Sequence, residues 1–360
     1  MAYWLQVATY VTTSNNRYWQ LSKYMEDKFV VTEEQIRNAG EKVLVPGVKR
    51  SITDLNLIQE VALSDHKVKI TVASAALSSD TQEWVKTRLK ESIDKLPEVK
   101  GLEIAFTEAK PADLNKIDNI IAVMSGKGGV GKSLVAGLTA IALRRQGYKV
   151  GVLDADITGP SIPKMFGVTG RPTGSDTGFL PVPSRSGISM MSINLLLPSE
   201  DDAVIWRGPL ISNTIKQFGN DVLWGKLDYL VIDLPPGTAD APLTVLQSFP
   251  ISGVIIVYTP QDLVDMIVRK AVNMAQKMGK PVLGVVENMS YLYVPEIDKK
   301  IELFGKSRGD EMAKVANAPL LGQIPIDPEM AQLCDAGDIE RYDGDIVNNL
   351  GKALSQAISA

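Results

Sequence analysis

One cysteine and one histidine stand in 360 residues, Cys334 and His66. A single thiol excludes an intrachain disulfide, and with one imidazole beside it no metal site built from several thiolates or imidazoles can form within one subunit. Positive charge is in short supply as well. The 38 Lys and Arg against 42 Asp and Glu leave a net charge of −4, so no basic field favours nucleic acid as a partner. No uninterrupted apolar stretch approaches membrane-spanning length. The opening residues, Met1-Ala2-Tyr3-Trp4-Leu5-Gln6, lack the basic start and apolar block of a signal peptide, which predicts a cytoplasmic protein with no membrane partner. Aromatic residues make up only 6%, and Trp4, Tyr10, Tyr18, Trp19 and Tyr24 gather a heavy share of them at the front. Residues 1–28 read as an extension packed on its own domain or, alternatively, as a partner-docking segment. Cys334 reads as an ordinary helix residue and His66 as part of an exposed turn; neither is given a role. The remaining composition, 45% apolar and 22% charged, is that of a globular chain long enough for two or three domains.

What is present centres on Gly126-Lys127-Gly128-Gly129-Val130-Gly131-Lys132-Ser133. The apolar run Ile120-Ile121-Ala122-Val123-Met124 enters it and a segment of helical character leaves it. The spacing Gly126-x-x-x-x-Gly131-Lys132-Ser133 meets the phosphate-loop pattern without a mismatch. Glycines let backbone N–H groups wrap an anion, and the helix adds its positive end. Lys132 is then placed to reach the β- and γ-phosphates, and the Ser133 hydroxyl to ligate Mg²⁺. The bland alternative is a glycine-rich turn that happens to precede a helix.

Ahead of this loop, Thr32-Glu33-Glu34-Gln35 has capping-box spacing and opens a helix up to about Leu44. Residues 57–63 and 68–72 read as two strands across a turn. Ser79-Asp80-Thr81-Gln82 opens a second helix carrying Trp84, Val85, Leu89, Ile93 and Leu96 on one face, and residues 101–106 form a closing strand. The order predicts a small α+β domain over 29–110, followed by a polar linker at 111–118. From 119 to 360, long apolar strands at 149–153, 229–232, 253–258 and 281–286 alternate with helices. This predicts an α/β P-loop fold, a mostly parallel sheet covered by helices on both faces, with ligands at the carboxyl ends of its strands.

Carboxylates fall at those ends. Asp233 closes Tyr229-Leu230-Val231-Ile232 in the Walker B pattern, where a carboxylate holds Mg²⁺, usually through water. Gly237, in Pro235-Pro236-Gly237-Thr238, is placed to donate its N–H to the γ-phosphate and act as a switch. Asp154 and Asp156 leave another strand end one residue apart, so both can face a nucleotide; the alternative is that they cap the turn before Gly159-Pro160-Ser161.

Lys127 directly after the first glycine resembles the deviant Walker A loop of the MinD, ArsA and Mrp class of ATPases. More narrowly, the phosphate loop, Asp154-Ala155-Asp156-Ile157-Thr158-Gly159-Pro160-Ser161, Trp206-Arg207-Gly208-Pro209, Ile232-Asp233-Leu234-Pro235-Pro236-Gly237-Thr238, Thr259-Pro260-Gln261-Asp262 and Glu287-Asn288-Met289-Ser290 all resemble the Mrp/ApbC family. The likeness spans residues 119 to about 345, and residues 51–58 resemble the small domain often fused ahead of it. The resemblance implies an ATP-hydrolysing homodimer that carries iron–sulfur clusters to client apoproteins. It implies that Lys127 reaches the partner subunit's nucleotide, though a solvated loop lysine is the alternative. It implies further that Asp156 positions the attacking water, Asp154 supports the Mg²⁺ shell, Asn288 reads adenine, and the loop around Pro325 closes over the base, which favours ATP over GTP.

The departures bear on cargo. The family's Cys-x-x-Cys pair falls on Val294 and Ile297, and the small domain's reactive cysteine on Leu77, none of which binds iron. A cluster would have to rest on Cys334 of both subunits with other ligands. The competing reading is a nucleotide-switched adaptor for a partner enzyme or maturation complex that no longer binds a cluster. A third, a MinD-like ATPase on membranes, is opposed by residues 346–354, which lack basic amphipathic character.

Overall fold

The strand that enters the phosphate loop, Lys116–Met124, sends alternate residues to opposite faces of one sheet. Ile120, Ala122 and Met124 join a core with Phe218, Val245, Val268 and Met312; Ile121 and Val123 join another with Val135, Leu138, Val347 and Leu350. Both faces are apolar, which is why the run is continuous and not alternating. The computed structural model describes residues 31–64, 67–96, 99–157, 159–197, 208–261 and 264–359. The aromatic stretch 1–28, His66 and the pair Trp206-Arg207 lie outside the described residues.

The sheet has eight strands in the order Val182–Pro183, Ser189–Ser192, Val150–Asp154, Lys226–Asp233, Lys116–Met124, Gly253–Tyr258, Val282–Glu287 and Leu320–Gln323. Every neighbouring pair is parallel except the outermost, Val182–Pro183 with Ser189–Ser192. Helices Lys132–Arg145, Pro328–Ala336 and Asp345–Ser359 cover one face; Gly208–Asn220, Asp240–Ser248, Val264–Lys277 and Gly309–Ala316 cover the other. Register brings the strand ends level, with Asp233 beside Asp154 and Tyr258 beside Glu287. The expected α/β P-loop fold is thus the observed one. No helix among the described residues is long and apolar enough to cross a membrane.

In front of it, Lys67–Ala73 is the middle of a three-stranded sheet, antiparallel to Ile58–Ser64 and parallel to Gly101–Thr107, with helix Ser79–Ile93 as the crossover. The first capping box forms as expected: Gln35 N donates to Thr32 Oγ1 (3.2 Å) and Thr32 N to Gln35 Oε1 (2.9 Å). Two boundaries differ from expectation. The first helix ends at Glu41, because Leu44–Val45 leaves to pair with Arg50–Ser51. The second helix is capped by Ser78, not Ser79. Ser78 is the extended residue whose hydroxyl meets Thr81 N at 3.3 Å. Residues 111–118 hold a helical turn, Pro111–Leu114, and the start of the strand Lys116–Met124.

Arg50 ties the two parts together. Its buried guanidinium donates to the carbonyls of Trp224, Lys226 (2.7 Å) and Asp54 (3.0 Å). Lys226 N returns a bond to Asp54 O (2.7 Å), and Leu180 and Leu223 sit in the small unit's own core.

Candidate functional site

The loop after Met124 is shaped by two left-handed glycines, Gly129 and Gly131, both at φ +77°. Gly131 is doubly constrained, since a Cβ there would lie 2.0 Å from Asn288 Nδ2. Gly126 needs its missing side chain for a different reason: a Cβ would meet the Ile267 carbonyl at 2.5 Å. Gly128 and Val130 complete the turn, with Val130 buried and Gly128 and Gly129 exposed to whatever the loop encloses.

Beneath the loop the charged groups converge. Lys132 Nζ donates to Asp233 Oδ1 at 2.5 Å and lies 3.4 Å from Ser133 Oγ. Lys132 and Asp233 are both buried. The second carboxylate oxygen, Asp233 Oδ2, is buried with no hydrogen-bond partner. Burial raises the Asp233 pKa and the Lys132 ammonium opposes it. Asp154 is fully buried; its pKa is pushed up to about 8, by burial first and then by the neighbouring Asp233 carboxylate.

The structure gives several expected residues partners that the sequence did not reveal. Asp154 accepts from the backbone N–H groups of Asp156 (3.2 Å), Ser161 (3.1 Å) and Ile162 (3.2 Å). These bonds build the turn that carries Asp156. Asn288 Nδ2 donates to the Val130 carbonyl (2.9 Å), so the amide expected to read a base braces the phosphate loop. Gly237, left-handed at φ +87°, donates its N–H to the Ser125 carbonyl at 3.1 Å. Lys127 Nζ turns back onto Gln261 Oε1 of its own chain. Pro325 is carried beside Asn288 because Ile324 N donates to Glu287 O (2.8 Å) and Ser290 N to Ile324 O (2.9 Å).

Glu287 was not singled out from the sequence. It is fully buried and accepts from the Ser290 and Ser307 hydroxyls (both 2.6 Å), the Gln323 amide (3.1 Å) and Arg308 N (2.8 Å). A carboxylate ending an apolar buried strand was the available signal. Val294 and Ile297 lie in the segment these bonds anchor, a hairpin of Leu292–Val294 with Lys299–Ile301. Cys334 is half-buried, its thiol pushed up to about 11 by burial and by Asp335. Leu77 is buried in the small unit's core.

Residues 116–358 match the ParA family model described as NUBPL iron-transfer P-loop NTPase. A protein of Clostridium perfringens named iron-sulfur cluster carrier protein is 49% identical over 234 residues, covering 63% of this chain and 82% of that protein. One of the same name from Synechocystis sp. is 38% identical over 321 residues, 86% of this chain and 91% of that protein, a length that takes in the front unit as well. Among solved structures, the nucleotide-binding protein of Archaeoglobus fulgidus in complex with ADP is 47% identical, with a TM-score of 0.59 over 64% of this chain and 91% of that one.

Proposed function

The chain belongs to the ParA family of NUBPL iron-transfer P-loop NTPases, and we propose that it is a cytoplasmic ATP-hydrolysing homodimer that serves iron–sulfur protein assembly. The observation that carries the nucleotide part is the orphaned oxygen of Asp233, buried beside Lys132 and Ser133 under the glycine loop. Hard oxygen donors suit Mg²⁺, which keeps several waters and takes its remaining ligands from phosphate. Among the described residues no group of three His, Cys, Asp or Glu forms a complete protein cage, consistent with that division. Ser133 and Asp233 would hold the ion, and the ion would neutralise charge developing on the phosphates.

This chain's own residues do the rest. Backbone N–H groups of residues 126–133 cradle the phosphates, and Lys132 exchanges its bond to Asp233 for one to the β- and γ-phosphates. Asp156 orients the attacking water. Gly237 leaves the Ser125 carbonyl to meet the γ-phosphate, which makes the loop after Asp233 the sensor of nucleotide state. Lys127 releases Gln261 and reaches the partner's nucleotide. Asn288 and the Pro325 loop border the base. Replacing Asp156 with alanine is expected to slow hydrolysis by ~10²-fold while ATP affinity, measured by equilibrium binding, stays within a factor of about three. A large loss of binding would move Asp156 out of the water-positioning role.

A second reading, the adaptor without a cluster, is favoured by ligand chemistry. Iron–sulfur clusters are held by thiolates, and Val294, Ile297 and Leu77 supply none. The single thiol per subunit is poorly ionised: with its pKa near 11, Cys334 should alkylate about 100-fold more slowly at pH 8 than an ordinary cysteine. Its rate should climb with pH until about pH 11. Iodoacetamide labelling of the native chain followed by mass spectrometry measures this, and fast labelling at pH 8 would revive Cys334 as a ligand. Anaerobic reconstitution with iron and sulfide should leave no stoichiometric cluster on the chain while hydrolysis persists; a client apoprotein or maturation complex is then the object of the ATP cycle.

A further inference from the structure

Basic side chains converge where the front unit meets the eight-stranded sheet. Lys116 opens the strand Lys116–Met124 and Lys226 opens Lys226–Asp233, and the parallel register sets the two side by side. Lys149 stands one residue ahead of the next strand, Val150–Asp154. Arg37 faces them from the helix Glu33–Glu41. The acids at hand are already engaged. Asp54 Oδ1 takes Lys149 Nζ at 2.6 Å, Asp228 Oδ2 takes Lys149 N at 2.6 Å and Glu33 Oε1 takes the Arg37 guanidinium at 2.7 Å. Neither Lys116 nor Lys226 has a side-chain hydrogen bond or ion pair among the described residues. Like charges side by side on neighbouring strands repel. The seam therefore keeps positive charge that the fold does not neutralise, in a chain whose net charge is −4.

The two lysines differ in their surroundings. Lys116 is exposed, whereas Lys226 is half-buried. The backbone of Lys226 is fixed on both sides: its N–H donates to Asp54 O (2.7 Å) and its carbonyl accepts from Arg50 (2.7 Å). Burial first, then the charges of Lys116, Arg37 and Lys149, lower its pKa, against a smaller pull from Asp54. A larger share of its side chain is thereby free amine, the form in which a lysine is a nucleophile. The same neighbouring cations concentrate small anions at the seam. An anion that carries an electrophilic carbon would meet a held, deprotonated amine there.

We propose that Lys226 is a site of non-enzymatic N-acylation whose donor is a small acyl phosphate, drawn in by Lys116, Lys149 and Arg37. The amine lone pair attacks the acyl carbon and forms the amide bond. The bond from that carbon to the phosphate oxygen breaks, inorganic phosphate leaves with the electron pair, and the amine's proton passes to solvent. The product is neutral, so one of two adjacent positive charges disappears from the junction of the front unit with the sheet. Lys226 begins the strand that Asp233 ends, which keeps this chemistry at the far side of the sheet from the phosphate loop.

The test treats the full chain with acetyl phosphate and follows the initial rate at each lysine by peptide mass spectrometry. Lys277 and Lys314, exposed on the helices Val264–Lys277 and Gly309–Ala316, are the references. Lys226 should be acetylated roughly 5-fold faster than either, or more, and high salt should erase most of that advantage. Lys116→Gln alters an exposed side chain and should slow Lys226 by about 3-fold or more, whereas Lys116→Arg should keep the rate. N-hydroxysuccinimidyl acetate, an uncharged donor, gains nothing from the cations and should favour Lys226 less than acetyl phosphate does. Rates at Lys226 no higher than at Lys277 and Lys314 overturn the proposal. So does a Lys226 rate that neither salt nor Lys116→Gln changes. An equal preference with the uncharged ester overturns the acyl phosphate as the donor class.

Discussion

Replacing Lys132 with alanine should abolish ATP hydrolysis, lowering kcat/KM by ~10³-fold or more. The ammonium does two jobs at one place. In the structure it sits 2.5 Å from Asp233 and is the cation that compensates two buried carboxylates, Asp233 and Asp154. On the bound nucleotide it would face the oxygens on which charge accumulates as the γ-phosphoryl transfers. Truncation removes both. Without the ammonium, the burial that raises the Asp233 pKa goes unopposed, which weakens this carboxylate as a Mg²⁺ ligand. Loss of Mg²⁺-dependent nucleotide binding should accompany loss of turnover, with far-ultraviolet circular dichroism unchanged. Arginine should not rescue, because a planar guanidinium does not substitute for the point charge of an ammonium at a buried position. Normal turnover in Lys132→Ala, measured by phosphate release, would show that residues 126–133 are not the phosphate loop.

The pieces of this site that could be read from the chain alone are those whose reasons are local. Gly129, Gly131, Lys132 and Ser133 lie within five residues of one another, and each is required by backbone conformation or by a phosphate held at that turn. Asp233 is legible because a carboxylate ending an apolar strand is abnormal anywhere but at a site. The illegible pieces depend on partners far off in sequence. Asn288 gives one amide N–H to the carbonyl of Val130, 158 residues away, and its side chain fills the space a Cβ at Gly131 would need, neither of which shows in the sequence. The contact of Lys127 with Gln261, 134 residues away, is likewise invisible in the sequence. Glu287 carries the same signal as Asp233, a carboxylate ending an apolar strand, but its partners Ser307, Arg308 and Gln323 are 20 to 36 residues away. In the fold, the long inner strands were evident because both faces are covered, whereas Val182–Pro183, Ser189–Ser192 and Leu320–Gln323 are too short for any period to show. The one-residue slip of the second helix cap has the same origin: Ser78 and Ser79 are chemically identical, and only backbone direction distinguishes them.

Arg50→Ala is expected to give the largest loss of stability of any single substitution at the junction, about 3–5 kcal/mol. The guanidinium is buried, with its pKa lowered to about 10 by burial, so it remains charged at neutral pH. Its compensation is unusual: three backbone carbonyls, of Trp224, Lys226 and Asp54, and no carboxylate directly bonded to it. Removing the donor takes a charge-assisted hydrogen bond from each of these three acceptors at a buried junction. A lysine offers a point charge that cannot span the three positions, so Arg50→Lys should recover little. Of the three carbonyls, that of Lys226 opens the strand Lys226–Asp233 and that of Trp224 lies two residues ahead of it, and the far end of this strand carries Asp233. The small unit is therefore bolted to the strand that delivers the candidate metal ligand, and the two parts should melt together in the native chain. In Arg50→Ala the midpoint should fall by roughly 5–10 °C, and the front unit should exchange its amide hydrogens ahead of the eight-stranded sheet. An unchanged midpoint with unaltered exchange would mean that the apolar contacts of Leu180 and Leu223 hold the junction and that the guanidinium is dispensable.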